Sequence, residues 1–240
     1  MKRVAAIQSS YIPWRGYFDI VGLVDEFILL DEVQYTKRDW RNRNRVKTAQ
    51  GPLWLTIPVQ VKGRYRQRID EVHVADQGWA ERHWQTLRQS YASAECFDAM
   101  AEQVAVLYEK AAELERLSDV NRLFLQRLCP LLEIDTRISW STDYESEGDR
   151  SLRLASLCEQ AGADEYVSGP SAKAYLDEGE FASRGIAVRW MDYEGYPEYE
   201  QVHPPFDPEV SIVDLLFNVG AEAPAYMKHA GAARGAGAGR

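Results

Sequence analysis

RVAAIQSSYIPWRGYFDIVGLVDEFILLDEV, residues 3 to 33, decides the fold. Arg3 to Gln8 is a short apolar run rich in β-formers and Phe27 to Val33 is a second, with the apolar-patterned stretch Trp14 to Leu23 between them. Strand, helix, strand is the repeating unit of a parallel sheet. The connection Tyr11-Ile12-Pro13-Trp14 then sits at the carboxyl end of the first strand, the edge at which open α/β sheets bind ligands.

Beyond this unit the period changes. From Asp39, Arg41, Arg43, Arg45 and Lys47 alternate with Asn42, Asn44 and Val46, and a Gln50-Gly51-Pro52 turn leads into LWLTIPVQV. A further turn at Lys62-Gly63 precedes RQRIDEVHV. This predicts an antiparallel insertion of two or three strands over about 39–75, with the cations on one face and the two asparagines on the other. Residues 78–132 read as helical: Trp79, His83, Leu87 and Tyr91 recur every four residues, Phe97, Ala101, Val104 and Tyr108 continue a stripe, and a third segment runs from Val120 to Leu132.

The last third returns to α/β. TRISW, EYVSGP and GIAVRWMDY read as strands, Arg150 to Gln160 as a helix closed by Gly162, and Ser171 as the start of another helix. Ser211 and Asp214 suggest a capping box for a final helix ending at Gly220. The expected fold is α/β, a mostly parallel Rossmann-like sheet with an antiparallel insertion and a helical section. The 240 residues fit one domain over 1–227, followed by a flexible Ala/Gly-rich tail, 228–240.

Composition narrows the function classes. No window approaches a membrane span, and the start turns polar too early for a signal peptide, which predicts a cytoplasmic protein. Cys96, Cys129 and Cys158 are odd in number and set among apolar residues, so they read as buried thiols. P-loop, dinucleotide, nucleophile-elbow and zinc-protease motifs are absent, and the four histidines are isolated; no bound cofactor or metal is expected.

Charge is segregated. Lys37 to Arg68 holds ten basic residues and one acid, a balance of +9 in a chain whose net charge is -9. That segment is where an anion would dock. Lys37, Arg43 and Arg45 could grip the diphosphate of a phosphate-bearing small molecule or dock an acidic carrier protein. Basic residues interleaved with Trp40 and Tyr65 also suit single-stranded nucleic acid, but the acidic remainder disfavours a polyanion.

The other candidates are polar residues where strands end: Gln8 to Tyr11, Asp31 and Gln34, Ser168-Gly169, and the irregular Tyr199 to His203. Asp31, Glu32 and His203 are the acid/base candidates. The blocks AAIQSSYIPWRGYFDIV, FILLDEVQYTKRDWRNRNRVKT, LWLTIPV, RHWQTLRQSY, ADEYVSGPSAKAYL and YPEYEQVHPPFDPEVSIVDLLFNVG resemble, in this order, those of the WbqC-like family, from Val4 to Gly220. The resemblance implies a bacterial protein of surface-polysaccharide biosynthesis, notably O-antigen, and a transfer of acyl or aminoacyl (glycyl) groups, without naming a catalytic residue. Two departures stand out: Gln8-Ser9-Ser10 replaces the family's usual Gln-Pro, and Asp31-Glu32-Val33-Gln34 its Asp-Asp-Val-Gln.

On this reading an amine of a nucleotide-linked sugar attacks an activated acyl donor such as a thioester. His203, or Asp31 acting through water, is the base; Gln8, Asn44 and the Ser168-Gly169 backbone are donors to the oxyanion; Tyr11, Trp14, Gln34 and Tyr199 complete the substrate site. The alternative is a non-catalytic nucleotide- or protein-binding module.

Overall fold

The structure is a computed structural model, and it describes residues 1–146, 148 and 150–229. The remainder of the expected tail, 230–240, lies outside the described residues. Strand β1 (Arg3–Ile7) is followed by α1 (Arg15–Leu23) and β2 (Glu26–Leu29), as the opening stretch predicts. The hairpin β3 (Arg43–Thr48) and β4 (Gly51–Thr56) comes next, then the helices α2 (Trp79–Tyr91), α3 (Phe97–Ala112) and α4 (Leu117–Leu128). The sheet resumes with β5 (Arg137–Trp140), α5 (Arg150–Gln160), β6 (Glu165–Ser168), α6 (Glu178–Ala182) and β7 (Ala187–Trp190), and α7 (Ile212–Val219) closes the series. No helix among the described residues is long and apolar enough to cross a membrane.

Five strands form one parallel sheet in the order β5-β2-β1-β6-β7. Both faces are covered, because alternate residues of one strand feed different cores. Ala5, Phe27 and Leu29 pack with α1, α7 and the helical section. Val4, Ala6 and Ile28 pack with Leu154, Ala155 and Cys158 of α5 and Phe181 of α6. The chain moves outward from β1 to β2 and β5, then crosses back to β6 on the other side. Strand order therefore reverses between β1 and β6, and the carboxyl ends of those strands frame a crevice.

The insertion departs from expectation in two places. Its hairpin pairs Arg43 with Thr56 through Thr48 with Gly51, but RQRIDEVHV adds no third strand. The Glu71 carboxylate accepts the Arg68 N–H at 2.8 Å and sets a 3-10 turn, Ile69–Glu71, leaving only isolated bridges such as Gln34 to Arg68. Local capping outcompetes the ladder. The cations are also divided: Arg43 and Arg45 share a face beside Trp54, whereas Arg41 precedes the strand and Lys47 is buried beneath residues 201–205. After Ser168-Gly169, Pro170–Ala174 is a 3-10 turn, and the helix expected from Ser171 begins only at Glu178. Helix α4 stops at Leu128 and continues as a 3-10 turn, because Pro130 has no N–H to give.

The α2 stripe is a core stripe. Trp79, His83, Leu87 and Tyr91 are all buried, and Tyr11 of the β1–α1 loop packs edge-on against Trp79 and Phe124. His83 Nδ1 lies 2.9 Å from the Tyr11 hydroxyl, which is 2.7 Å from the Tyr108 hydroxyl, and the imidazole is hydrogen-bonded to the Thr56 backbone. Burial pulls His83 down to about 4, against the pull of the Thr56 bond.

Between the ordinary imidazole value and that lower one the unfolded chain binds a proton that the folded chain refuses. Stability is therefore full above pH ~6.5 and falls as pH drops toward ~4, by up to about 3 kcal/mol from this residue. Urea midpoints measured at pH 7 and pH 4.5 should show that loss, and His83→Gln should flatten that part of the pH dependence.

Candidate functional site

The β1–α1 loop is held from every side. Asp31 accepts the Ser9 N–H at 2.8 Å and the Ser9 hydroxyl at 2.7 Å, and burial pushes its carboxyl up while those bonds pull it down. Asn121 donates to Ser9 Oγ and to the Arg41 carbonyl, both at 2.9 Å, and Arg41 donates to the Ser9 carbonyl at 3.1 Å. The Asn44 amide donates to the carbonyls of Tyr11 at 3.1 Å and Ile12 at 2.9 Å, and Ser211 Oγ donates to Ile12 at 2.6 Å. These bonds hold Ile12 at φ 34°, a conformation costly for a β-branched residue and tolerated only where the surroundings overdetermine it.

The loop delivers Trp14 and Arg15 to the crevice. The Trp14 indole lies across the first turn of α1 because Gly16 has no side chain; a Cβ there would stand 2.4 Å from the ring. Together with Ile7, Tyr17 and Tyr193, Trp14 forms a wall shared by two cavities.

The first cavity, about 710 Å³, is cationic and aromatic. Arg15 is buried there, donating to the Pro197 carbonyl at 2.6 Å, with its guanidinium 4.8 Å from the centre of the Tyr196 ring and 5.7 Å from that of Phe206. Burial lowers its pKa, and the neighbouring Tyr199, Tyr196 and Asp19 oppose that shift. An arginine stays charged through such a shift. Arg41, also buried, supplies a second cation; its Nε makes no hydrogen bond but lies 3.8 Å from the Asp39 carboxylate. The first turn of α1 carries no acid and no side-chain cap, so its positive end is not neutralised. Tyr193 and Tyr196 flank Trp14 edge-on at 5.2 and 6.2 Å. Glu198 lines the cavity from an exposed position, where its charge acts on Arg15, and Glu209 is paired with Arg45 at 2.5 Å.

The second cavity, about 500 Å³, lies at the ends of β1 and β6. Gln8, Ser168, Gly169 and Ser171 are its polar residues, and Arg150 sits at its edge with the guanidinium 4.6 Å from the centre of the Tyr175 ring.

The sequence model of the WbqC-like protein family matches residues 8–226, which include both cavities' polar walls. The chain belongs to the WbqC-like protein family. A relative from Mycobacterium tuberculosis (strain ATCC 25618 / H37Rv), "Uncharacterized protein Rv1507c", is 52% identical over 229 residues, covering 95% of this chain and 99% of its own length. No solved structure matches.

In this WbqC-like chain the expected site residues part company. Gln8, Trp14, Asn44, Ser168 and Gly169 line the two cavities. Asp31 lies beneath the loop with both oxygens occupied, and Glu32 beside it is paired with Arg153. Tyr11 is spent on His83 and Tyr108. His203 Nε2 is bonded to the Ser90 carbonyl at 2.7 Å and lines neither cavity. Gln34 donates to the Tyr65 carbonyl at 3.0 Å, Lys37 is exposed, Arg43 lies 4.1 Å from the centre of the Trp54 ring, and Arg45 holds Glu209.

Tyr199 belongs to a buried hub. Asp214 accepts the Tyr91 and Tyr199 hydroxyls, each at 2.7 Å, and the Gln201 amide at 2.9 Å; Lys47 donates to Gln201 Oε1 at 2.9 Å and to the Pro205 carbonyl. Ser211 caps α7 as expected, but the Asp214 carboxylate faces this hub instead of completing the capping box. The hub backs the ring layer under Arg15, through Tyr199 and Phe206.

Sequence reasoning missed Arg15, Tyr193, Tyr196 and Glu198, and counted Arg41 only as part of the cationic strand. One signal was available: a cation opening a helix whose first turn has no acid, directly after the ligand-edge loop. Asp19 adds a tie from farther away, accepting the Tyr196 hydroxyl at 2.7 Å and the N–H groups of Lys228 at 2.9 Å and His229 at 2.6 Å.

Proposed function

We propose that this WbqC-like protein transfers an acyl or aminoacyl group to an amine of a nucleotide-linked sugar or a similar small phosphate-bearing acceptor, in bacterial surface-polysaccharide or related biosynthesis. The observation that carries the reading is the pair of cavities sharing one wall at the β1/β6 reversal, one of them cationic and aromatic. A transferase must hold two reactants side by side out of bulk water.

In this scheme Arg15, Arg41 and the open end of α1 take the acceptor's phosphates, and the flanking rings take its planar part. The acyl group lies across the shared wall, where Gln8 and Ser168 can donate to its carbonyl oxygen as charge develops. The amine attacks that carbonyl, a C–N bond forms, the bond to the leaving thiol or alcohol breaks, and Glu198 carries the amine proton toward the leaving group. His203 and Asp31 enter as positioning residues.

The test is product formation. With a nucleotide-linked amino sugar and an acyl thioester, mass spectrometry should find an amide at the sugar nitrogen, and Glu198→Gln should lower kcat about 100-fold with KM little changed. An unmodified sugar across a panel of such pairs, with the fold intact, would overturn the reading.

A further inference from the structure

The second cavity separates the two kinds of group that the proposed transfer could carry. Besides its polar rim and the rings of Trp14, Tyr17, Tyr175 and Tyr193, its wall includes Ala6, Ile20, Leu30, Val33, Leu154 and Tyr166. Leu154, Ala6 and Tyr166 belong to the core beneath α5, so the walls are set by packed elements rather than by mobile side chains. Its charged residue among those described is a cation, Arg150, and no carboxylate among the described residues lines it. A glycyl or other aminoacyl group carries an ammonium, which would lose its water against apolar walls and face the Arg150 guanidinium at like charge. An uncharged chain would instead gain from the same walls.

We infer that the group transferred is an uncharged aliphatic acyl chain, bound in this second cavity, rather than an aminoacyl group. The inference rests on the transferase reading and names its donor class, an aliphatic acyl thioester. The balance is that of the proposed step: the acceptor nitrogen bonds to the acyl carbon, the C–S bond breaks, and the thiol leaves with the proton lost by the amine. The chain length is limited by the roughly 500 Å³ available, and Leu154 and Val33 form part of that limit.

The experiment is equilibrium binding of S-acetyl-, S-butanoyl-, S-octanoyl- and S-glycyl-pantetheine to the full chain, with a nucleoside diphosphate titrated separately. Affinity should rise roughly two- to fourfold per methylene until the cavity is full, and S-glycyl-pantetheine should bind no better than the acetyl form. Val33→Phe, at a half-buried position, and Leu154→Phe, deeper in, should each shorten the best chain; the first keeps the test open if the second fails to fold.

Glycyl binding equal to or tighter than octanoyl overturns the inference, as does an affinity independent of chain length or unchanged in a folded Val33→Phe variant. Nucleoside diphosphate binding with no chain-length effect defeats this inference alone. Failure of every ligand, the nucleoside diphosphate included, defeats the transferase reading with it.

Discussion

Arg15→Ala is expected to weaken nucleoside diphosphate binding about 100-fold, the largest loss of affinity from any single change in the crevice. Arg15 as a residue is only 5% exposed, so its charge is less screened by water than that of a surface arginine. A charge-assisted hydrogen bond is worth ~1.5–3 kcal/mol when its partner is buried, and a bidentate grip on phosphate makes two. Part of the side chain's work is structural, since it also donates to Pro197 and stacks on Tyr196. Arg15→Lys separates the roles: it retains the charge but not the planar fork, and should lose about tenfold in affinity. Titration calorimetry at two salt concentrations, beside a thermal unfolding curve for each variant, checks both. A steep salt dependence, or equal affinities for all three proteins, would place the phosphates elsewhere.

Asp214→Ala should be the most destabilising change outside the apolar cores. The carboxylate is fully buried and serves Tyr91, Tyr199 and Gln201 at once. Removing it strands the Tyr91 and Tyr199 hydroxyls, takes one acceptor from the Gln201 amide and removes a negative charge that acts on Lys47, which together cost on the order of 3–5 kcal/mol. Asp214→Asn retains one acceptor oxygen and should lose about half as much. Urea denaturation reads both values. The loss should also reach the first cavity, because Tyr199 and Phe206 form the layer under Arg15. An Asp214→Ala protein as stable as the parent would mean that water replaces the carboxylate without loss.

The sheet was legible because it is written in local patterns. The runs at Arg3–Ile7 and Glu26–Leu29 flank an apolar helix, and a parallel sheet built from such units binds ligands at a known edge, so Gln8, Trp14, Ser168 and Gly169 could be placed in advance. His203, Asp31 and Arg43 were harder for a physical reason. Each is polar and near a strand end or in the cationic strand, but its partner lies elsewhere: Ser90 on α2, Ser9 across the crossover, Trp54 across the hairpin. Partners of that kind depend on how segments pack, not on spacing. The same holds for Tyr193, Tyr196 and Glu198, which follow β7 in a stretch without periodicity and acquire meaning only where they lie against Trp14 and Arg15.

Asp19 gives the crevice a mechanical link to a distant part of the chain. One oxygen of this buried carboxylate accepts the Tyr196 hydroxyl on the wall of the first cavity, and the other receives the backbone N–H groups of Lys228 and His229. The segment around residue 228 thus acts as a strap on the same buckle that tensions the aromatic wall. Tension transmitted there would be felt more than thirty residues upstream, at a ring on the wall of the first cavity, so substitutions near residue 228 can shift that wall without lining it.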